Sequence, residues 1–322
     1  MDDAKQLAEK ILNLSRPLNS EVAQAAALCA LGSTCLWRGE FGLARRHLEQ
    51  AIAIYDRDIP RYLPMNQALV VPSRAQMSWA LWMTGYSDQA QKRAAEALDL
   101  ATRLGNPFSM AFTLMYTIAL GHFRGDYTDI RLRAESLLQI ARENGFPYWS
   151  AVASMVIGRV LVGEGNFDAG IIRIRDAMST LQEVGGELIH SYAFTLLTES
   201  YLRAREPEKG LAAVAEALQG IEASGQRMHE AEIWRLRGEL LILHGGADTE
   251  AENSFQRALQ IARLQQARAW ELRAAISLAR LLAAHNRRDE AKAGLVLVVA
   301  SITEGFADTD LKQAAALLSQ LD

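Results

Sequence analysis

The chain has 322 residues, half of them apolar, with a formal net charge of -4 and only seven prolines. Ala and Leu dominate and β-branched residues are sparse in most windows, which favours an all-helical protein over a sheet. Acidic and basic residues are interspersed, so no basic stripe points to nucleic acid or an anionic membrane, and no apolar run approaches the roughly 20 residues that span a bilayer.

In chain order, the start "MDDAKQLAEK" lacks the basic and apolar regions of a signal peptide. Cys29 and Cys35 lie six apart on different faces of one predicted helix, which speaks against a disulfide and fits a reducing compartment; a cytoplasmic protein is expected. "AKQLAEKILNL" predicts a lone amphipathic helix, so residues 1–23 are expected to cover the first of a series of hairpins.

That series begins near Gln24. The segments "GEFGLA", "GYSDQA", "GDYTDI", "GNFDAG", "REPEKG", "GADTEA" and "NRRDEA" end at Ala44, Ala90, Ile130, Gly170, Gly210, Ala251 and Ala291, in steps of 46, 40, 40, 40, 41 and 40. Gly105, Gly145, Gly185 and Gly225 keep the same register, with Gln265 at the fifth position. A fixed period of this size signals a solenoid. Within a unit, Phe167, Ile171, Ile174, Met178 and Leu181 share one helix face, and "SAVASMVIGRVLV" supplies the preceding arm. The glycines read as left-handed caps of second arms, and Pro107 and Pro147 as first residues of the next helices. The longer early step holds "YDRDIPRYLPMNQALVVP"; Pro60, Pro64 and Pro72 predict an irregular loop there, either a plain insertion or a segment that covers the groove or contacts a further domain. "TDLKQAAALLSQL" predicts a covering helix within 302–322.

The unit resembles the tetratricopeptide repeat, carried by Leu28, Leu31, Gly32, Ala44, Leu48 and Ala51 in the first unit and by Trp234, Gly238, Leu241, Ala251, Phe255 and Ala258 in the sixth. Seven units cover 24–301, and the period exceeds the usual length of about 34 residues. The chain is therefore similar to the longer variety found in the maltose-regulon activator and in bacterial ATPase regulators associated with class III adenylate/guanylate cyclases. "ARAWELRAAISLARL" and "ITEGFADTDLKQAAALLSQL" resemble the end of the latter group. The resemblance implies a single domain over 1–322, an all-α, right-handed α-solenoid of seven helix hairpins with end helices. It also implies a non-catalytic scaffold or regulatory role toward a protein or peptide partner, which includes an attached or associated ATPase/cyclase-type module. No G-x-x-x-x-G-K-[ST] loop is present, so ATP hydrolysis and cyclase activity do not carry over.

Chemistry-bearing motifs are few. Six histidines are scattered, "HEAE" at His229 is not H-E-x-x-H, and G-x-S-x-G is absent, so no catalytic residue, metal or cofactor is expected. In tetratricopeptide arrays the first arms line a concave groove. By register the groove takes Phe108, Phe112, Tyr148, Trp149, Met155, His190, Tyr192, His229 and Trp270 near its mouth. His122, Arg159, Glu199, Arg203, Arg235, Glu239, Arg273 and Arg280 lie deeper. Two readings stand side by side. Either the aromatics pack between hairpins and Glu199 and Glu239 neutralise the arginines; or Trp149, Tyr192 and Trp270 offer flat faces while Arg159, Arg235 and Arg280 hold acceptors of a peptide or small molecule. Tyr148-Trp149 stands out because the preceding unit has Phe108-Ser109 instead. A small-molecule sensor, for example of an oligosaccharide, is the alternative role, and an enzyme with an unrecognised site a third.

Overall fold

The chain's short apolar stripes can be buried only by stacking one helix on the next, and the structure, a computed structural model, shows them so buried. It describes every residue except Arg16 and Asn19, and of 58–69 the backbone alone. The α-helices are α1 (Asp2–Ser15), α2 (Glu21–Trp37), α3 (Phe41–Met83), α4 (Ser87–Leu104), α5 (Pro107–Arg124), α6 (Ile130–Glu143), α7 (Pro147–Gly163) and α8 (Phe167–Glu183). After a short 3-10 turn come α9 (His190–Ala204), α10 (Pro207–Ser224), α11 (Glu230–His244), α12 (Asp248–Leu264), α13 (Arg268–Ala284), α14 (Arg288–Val299) and α15 (Thr309–Leu321). Each helix packs on its successor, and the first arms α5, α7, α9, α11, α13 and α15 also pack on one another in that order. This is an all-α solenoid of hairpins.

Local chemistry sets the hairpin ends. Pro107, Pro147 and Pro207 open α5, α7 and α10, where a missing N–H costs nothing. Gly105, Gly145, Gly185 and Gly225 follow second arms with φ between +62° and +73°. At the fifth such place the left-handed residue is Gln266 (φ +56°), one position later than the register of Gln265. Where α7 crosses α8 the backbones touch: a Cβ on Gly158 would lie 2.7 Å from the Gly170 carbonyl oxygen.

The expected loop at Pro60, Pro64 and Pro72 is instead helical, since α3 runs through all three. Eighteen residues of straight helix would span about 27 Å, yet Arg74 pairs with Asp56, and Val70 and Val71 share a cluster with Ile54 and Tyr55. So residues 70–74 lie back against 54–56, and α3 serves as second arm of unit 1 before that point and as first arm of unit 2 after it. What the segment covers lies outside the described residues.

The stack then meets itself. In unit 1, the Trp37 carbonyl accepts from Met228 N–H at 3.1 Å, just before α11 of unit 6. In unit 2, the Trp82 ring lies 5.0 Å from that of Trp270 on α13 of unit 7. In unit 3, Arg124 pairs with Asp308 at 2.8 Å, at the start of α15, the eighth place in the series. Units 1 and 6, 2 and 7, and 3 and 8 therefore touch, so about five hairpins complete one superhelical turn. Such tight winding presses the concave side shut on Trp79, Trp82, Phe123, Tyr192, His229 and Trp270, which form one ring cluster. Each large aromatic removes roughly 150–250 Å² from water, worth about 4–6 kcal/mol before entropy. That gain favours the closed turn over an open groove.

Candidate binding site

The first arms carry their aromatics at positions that the winding turns inward. Trp149, Tyr192 and Trp270 are 6%, 1% and 1% exposed. Trp149 meets Phe108 and Phe112 edge-on at 5.9 Å and Tyr148 at 4.7 Å, filling the space between units 3 and 4. Tyr148 is half-buried, and burial pushes its hydroxyl up to about 12. Trp270 donates from Nε1 to the Met228 carbonyl at 3.1 Å, and the Tyr192 hydroxyl lies 3.5 Å from His122 Nδ1. None of the three flat faces is turned to solvent; the concave side is too tightly closed to present them.

The charged residues of the same arms lie differently. Arg159, Glu199, Arg235, Arg273 and Arg280 line a cavity of about 300 Å³, together with His122, Tyr127, Arg203, Thr309, Asp310 and Gln313. It is assembled from α5, α7, α9, α11, α13 and α15. Glu239 stands behind it, accepting from Ser277 at 2.6 Å and from Arg235 at 3.3 Å. Asp310 and Gln313 stand one period beyond Trp270 and Arg273, in a helix that the sequence reading takes as an end cover rather than as an eighth first arm, and Tyr127 lies in the turn after α5, outside the arms.

Two ion networks make a stiff floor. Arg235 grips Glu232, which is fully buried, through two bonds of 2.8 and 2.9 Å. Arg273 binds Asp310 at 2.7 Å and the Phe123 carbonyl at 2.6 Å, with its guanidinium 5.0 Å from the Trp270 ring. Burial alone would raise the Glu232 carboxyl, but Arg235 and Arg273 outweigh it and hold it low. Glu199 accepts from Arg159 Nε at 3.2 Å and lies 2.9 Å from His122 Nε2. Burial opposes its ionisation too, yet His122, Arg159 and Arg273 keep it well below the usual carboxylate range. Buried pairs of this kind fix geometry more than they add stability.

Three arginines face the cavity with donors to spare. The Arg159 side chain is 8% exposed, lies over the Tyr127 ring at 5.7 Å and lines the cavity; it donates from Nε, and among the described residues nothing accepts from Nη1 or Nη2. Among the described residues, Arg203 is exposed without a carboxylate partner and Arg280 donates only to Gln313 at 3.0 Å. A roomier cavity of about 570 Å³ lies where unit 1 meets unit 6. There Arg38 and Arg227 are held by Glu40 and Glu230 at 2.8 and 2.9 Å, while Arg46 and Arg257 stand on exposed helix surface. It lacks a buried donor with free bonds, so the smaller cavity is the better candidate.

The arrangement offers anion binding. The Ser191–His229 contact of 3.0 Å is enclosed by Phe123, Tyr192 and Trp270, with both residues buried and the imidazole pushed down to about 3 by that burial. Among the described residues no group of His, Cys, Asp or Glu is placed to hold a metal ion, and no helix is long and apolar enough to cross a membrane.

No family model and no curated protein matches the chain. Among solved structures it is similar to yeast Tom70, with 15% identity and a TM-score of 0.49, over 99% of this chain and 59% of that one. It is also similar to a signal-transduction ATPase with numerous domains that has a tetratricopeptide repeat sensor, from Pyrococcus horikoshii, with 12% identity and a TM-score of 0.48, over 99% and 50%. A circular tandem repeat protein aligns at 13% identity with a TM-score of 0.26, over 99% and 88%. The chain spans about three fifths of the length of the first and half of the second.

Proposed function

We propose that the protein is a non-catalytic docking and regulatory module that takes a protein or peptide segment at the cavity formed by α5, α7, α9, α11, α13 and α15. One observation carries this reading: Arg159, a buried guanidinium whose terminal nitrogens meet no acceptor among the described residues, lines a cavity that also holds Arg203 and Arg280, neither of which meets a carboxylate there. Desolvated arginines bind acceptors far more strongly than exposed ones do. An occupant would bridge five hairpins and the end helix, so its binding energy would bias the shape of the whole superhelix. By the resemblance in the repeats, the output is an attached or associated signalling module in a bacterial cytoplasm. A small-molecule effector is the second reading, favoured by the size of the cavity, which is at the low end for ligand pockets.

The test is to select peptides from a random library on the whole protein, then measure each by fluorescence anisotropy against the wild type and the R203E/R280E variant. Acidic peptides whose affinity falls at least tenfold in the variant are expected. Peptides that bind both proteins equally would place docking elsewhere.

A further inference from the structure

The cavity's charges are unevenly matched. Glu199 answers Arg159 and His122, Glu232 and Glu239 answer Arg235, and Asp310 answers Arg273. No carboxylate is left for Arg203 or Arg280 among the described residues, and Arg159 keeps both terminal nitrogens free. A single carboxylate has two oxygens, too few to engage Arg159, Arg203 and Arg280 at once. A phosphate monoester carries a charge near -2 and three strong acceptor oxygens, which suits planar guanidinium forks. Tyr127 lies against Arg159, so the ester's carbon side has an aromatic wall to rest on.

We infer that the group entering this cavity is a phosphate monoester, held by Arg159, Arg203 and Arg280. For its source the inference rests on the docking reading above, and names a phosphorylated side chain of the partner. Arg159 supplies the deep contact, fixed in place by Glu199, and the two exposed arginines close over the remaining oxygens.

The probes are phenyl phosphate, phenylacetate and methyl phenyl phosphate, a monoanionic diester, titrated calorimetrically into the full chain. Phenyl phosphate is expected to bind at least tenfold more tightly than either monoanion, and R203A/R280A to weaken it at least tenfold. Both substituted side chains are exposed, and an unchanged circular dichroism spectrum confirms folding. Equal binding of the monoanions, or phenyl phosphate binding untouched by R203A/R280A, overturns the inference. Phosphotyrosine and phosphoserine peptides form the second arm. If they bind more tightly than phenyl phosphate, the partner is a phosphorylated segment. If phenyl phosphate binds and no peptide does, the phosphate site stands with a small ester as ligand and the docking reading falls. If unphosphorylated acidic peptides bind at Arg203 and Arg280 while phenyl phosphate does not, docking stands and the phosphate inference falls.

Discussion

The wall of the stack and the seam between its turns are built by different rules. Along the wall, neighbouring hairpins meet through stripes that recur in each unit, such as Gly158 against Gly170 and Gly238 against Phe255. At the seam, contacts occur once each. The Gln265 side chain donates to the Arg227 carbonyl at 2.8 Å and lies over Gly39, where a Cβ would come within 2.4 Å of its Nε2. Gln266 reaches over Gly42 in the same way, with its Oε1 2.7 Å from where a Cβ would stand. The repeat abandons its punctuating glycine where the next turn lands, because only a side chain can make that contact. A repeat thus specifies how units stack, while closure of the superhelix needs residues that break the repeat.

The largest blow to the seam is Trp270→Ala. It removes the bond to the Met228 carbonyl and the contact with Trp82, at a cost of about 3–5 kcal/mol in chemical denaturation. Hydrogen exchange should speed up first at 37–39 and 226–230, ahead of α7 and α8; uniform loss of protection would show that seam and wall are one cooperative unit.

A smaller effect comes from His229, enclosed in the ring cluster where the turns meet. Its imidazole is pushed down to about 3 by burial, so the folded form stays neutral while the unfolded chain takes up a proton near pH 6.5. Stability is therefore fully present above about pH 6.5 and is lost as pH falls, by up to about 2 kcal/mol on reaching pH 5. His229→Gln should flatten urea midpoints over that interval; an unchanged slope would contradict the burial of this residue.

The smallest test separates two residues of like backbone. Arg205, on the wall, and Gln266, at the seam, both have left-handed φ, 59° and 56°. Arg205→Gly relieves that strain without disturbing a neighbour and should raise stability by about 0.5 kcal/mol. Gln266→Gly also uncovers Gly42 and should show no gain. Equal gains in thermal denaturation would mean that the glutamine contributes nothing to closure.

The hairpins and their glycine caps were legible because helix periodicity and left-handed capping are local properties. Pro60, Pro64 and Pro72 misled, since α3 runs through all three. Among the candidate residues, Arg159, Glu199, Arg235, Arg273 and Arg280 come together at one cavity, whereas Trp149, Tyr192 and Trp270 are inside. The letters divide them into charged and aromatic, but not into a lined cavity and a closed core. Both sit on first arms, and only how far each arm turns toward the axis decides which is covered.

The forty-residue helix hairpin, its caps and the faces it must bury follow from the letters alone, because all are set by interactions within a unit or between adjacent ones. The winding of about five hairpins per turn does not. That angle accumulates from small rotations at every junction, and it places Asp308 beside Arg124, Trp270 beside Trp82, and a ring of arginines around one small cavity.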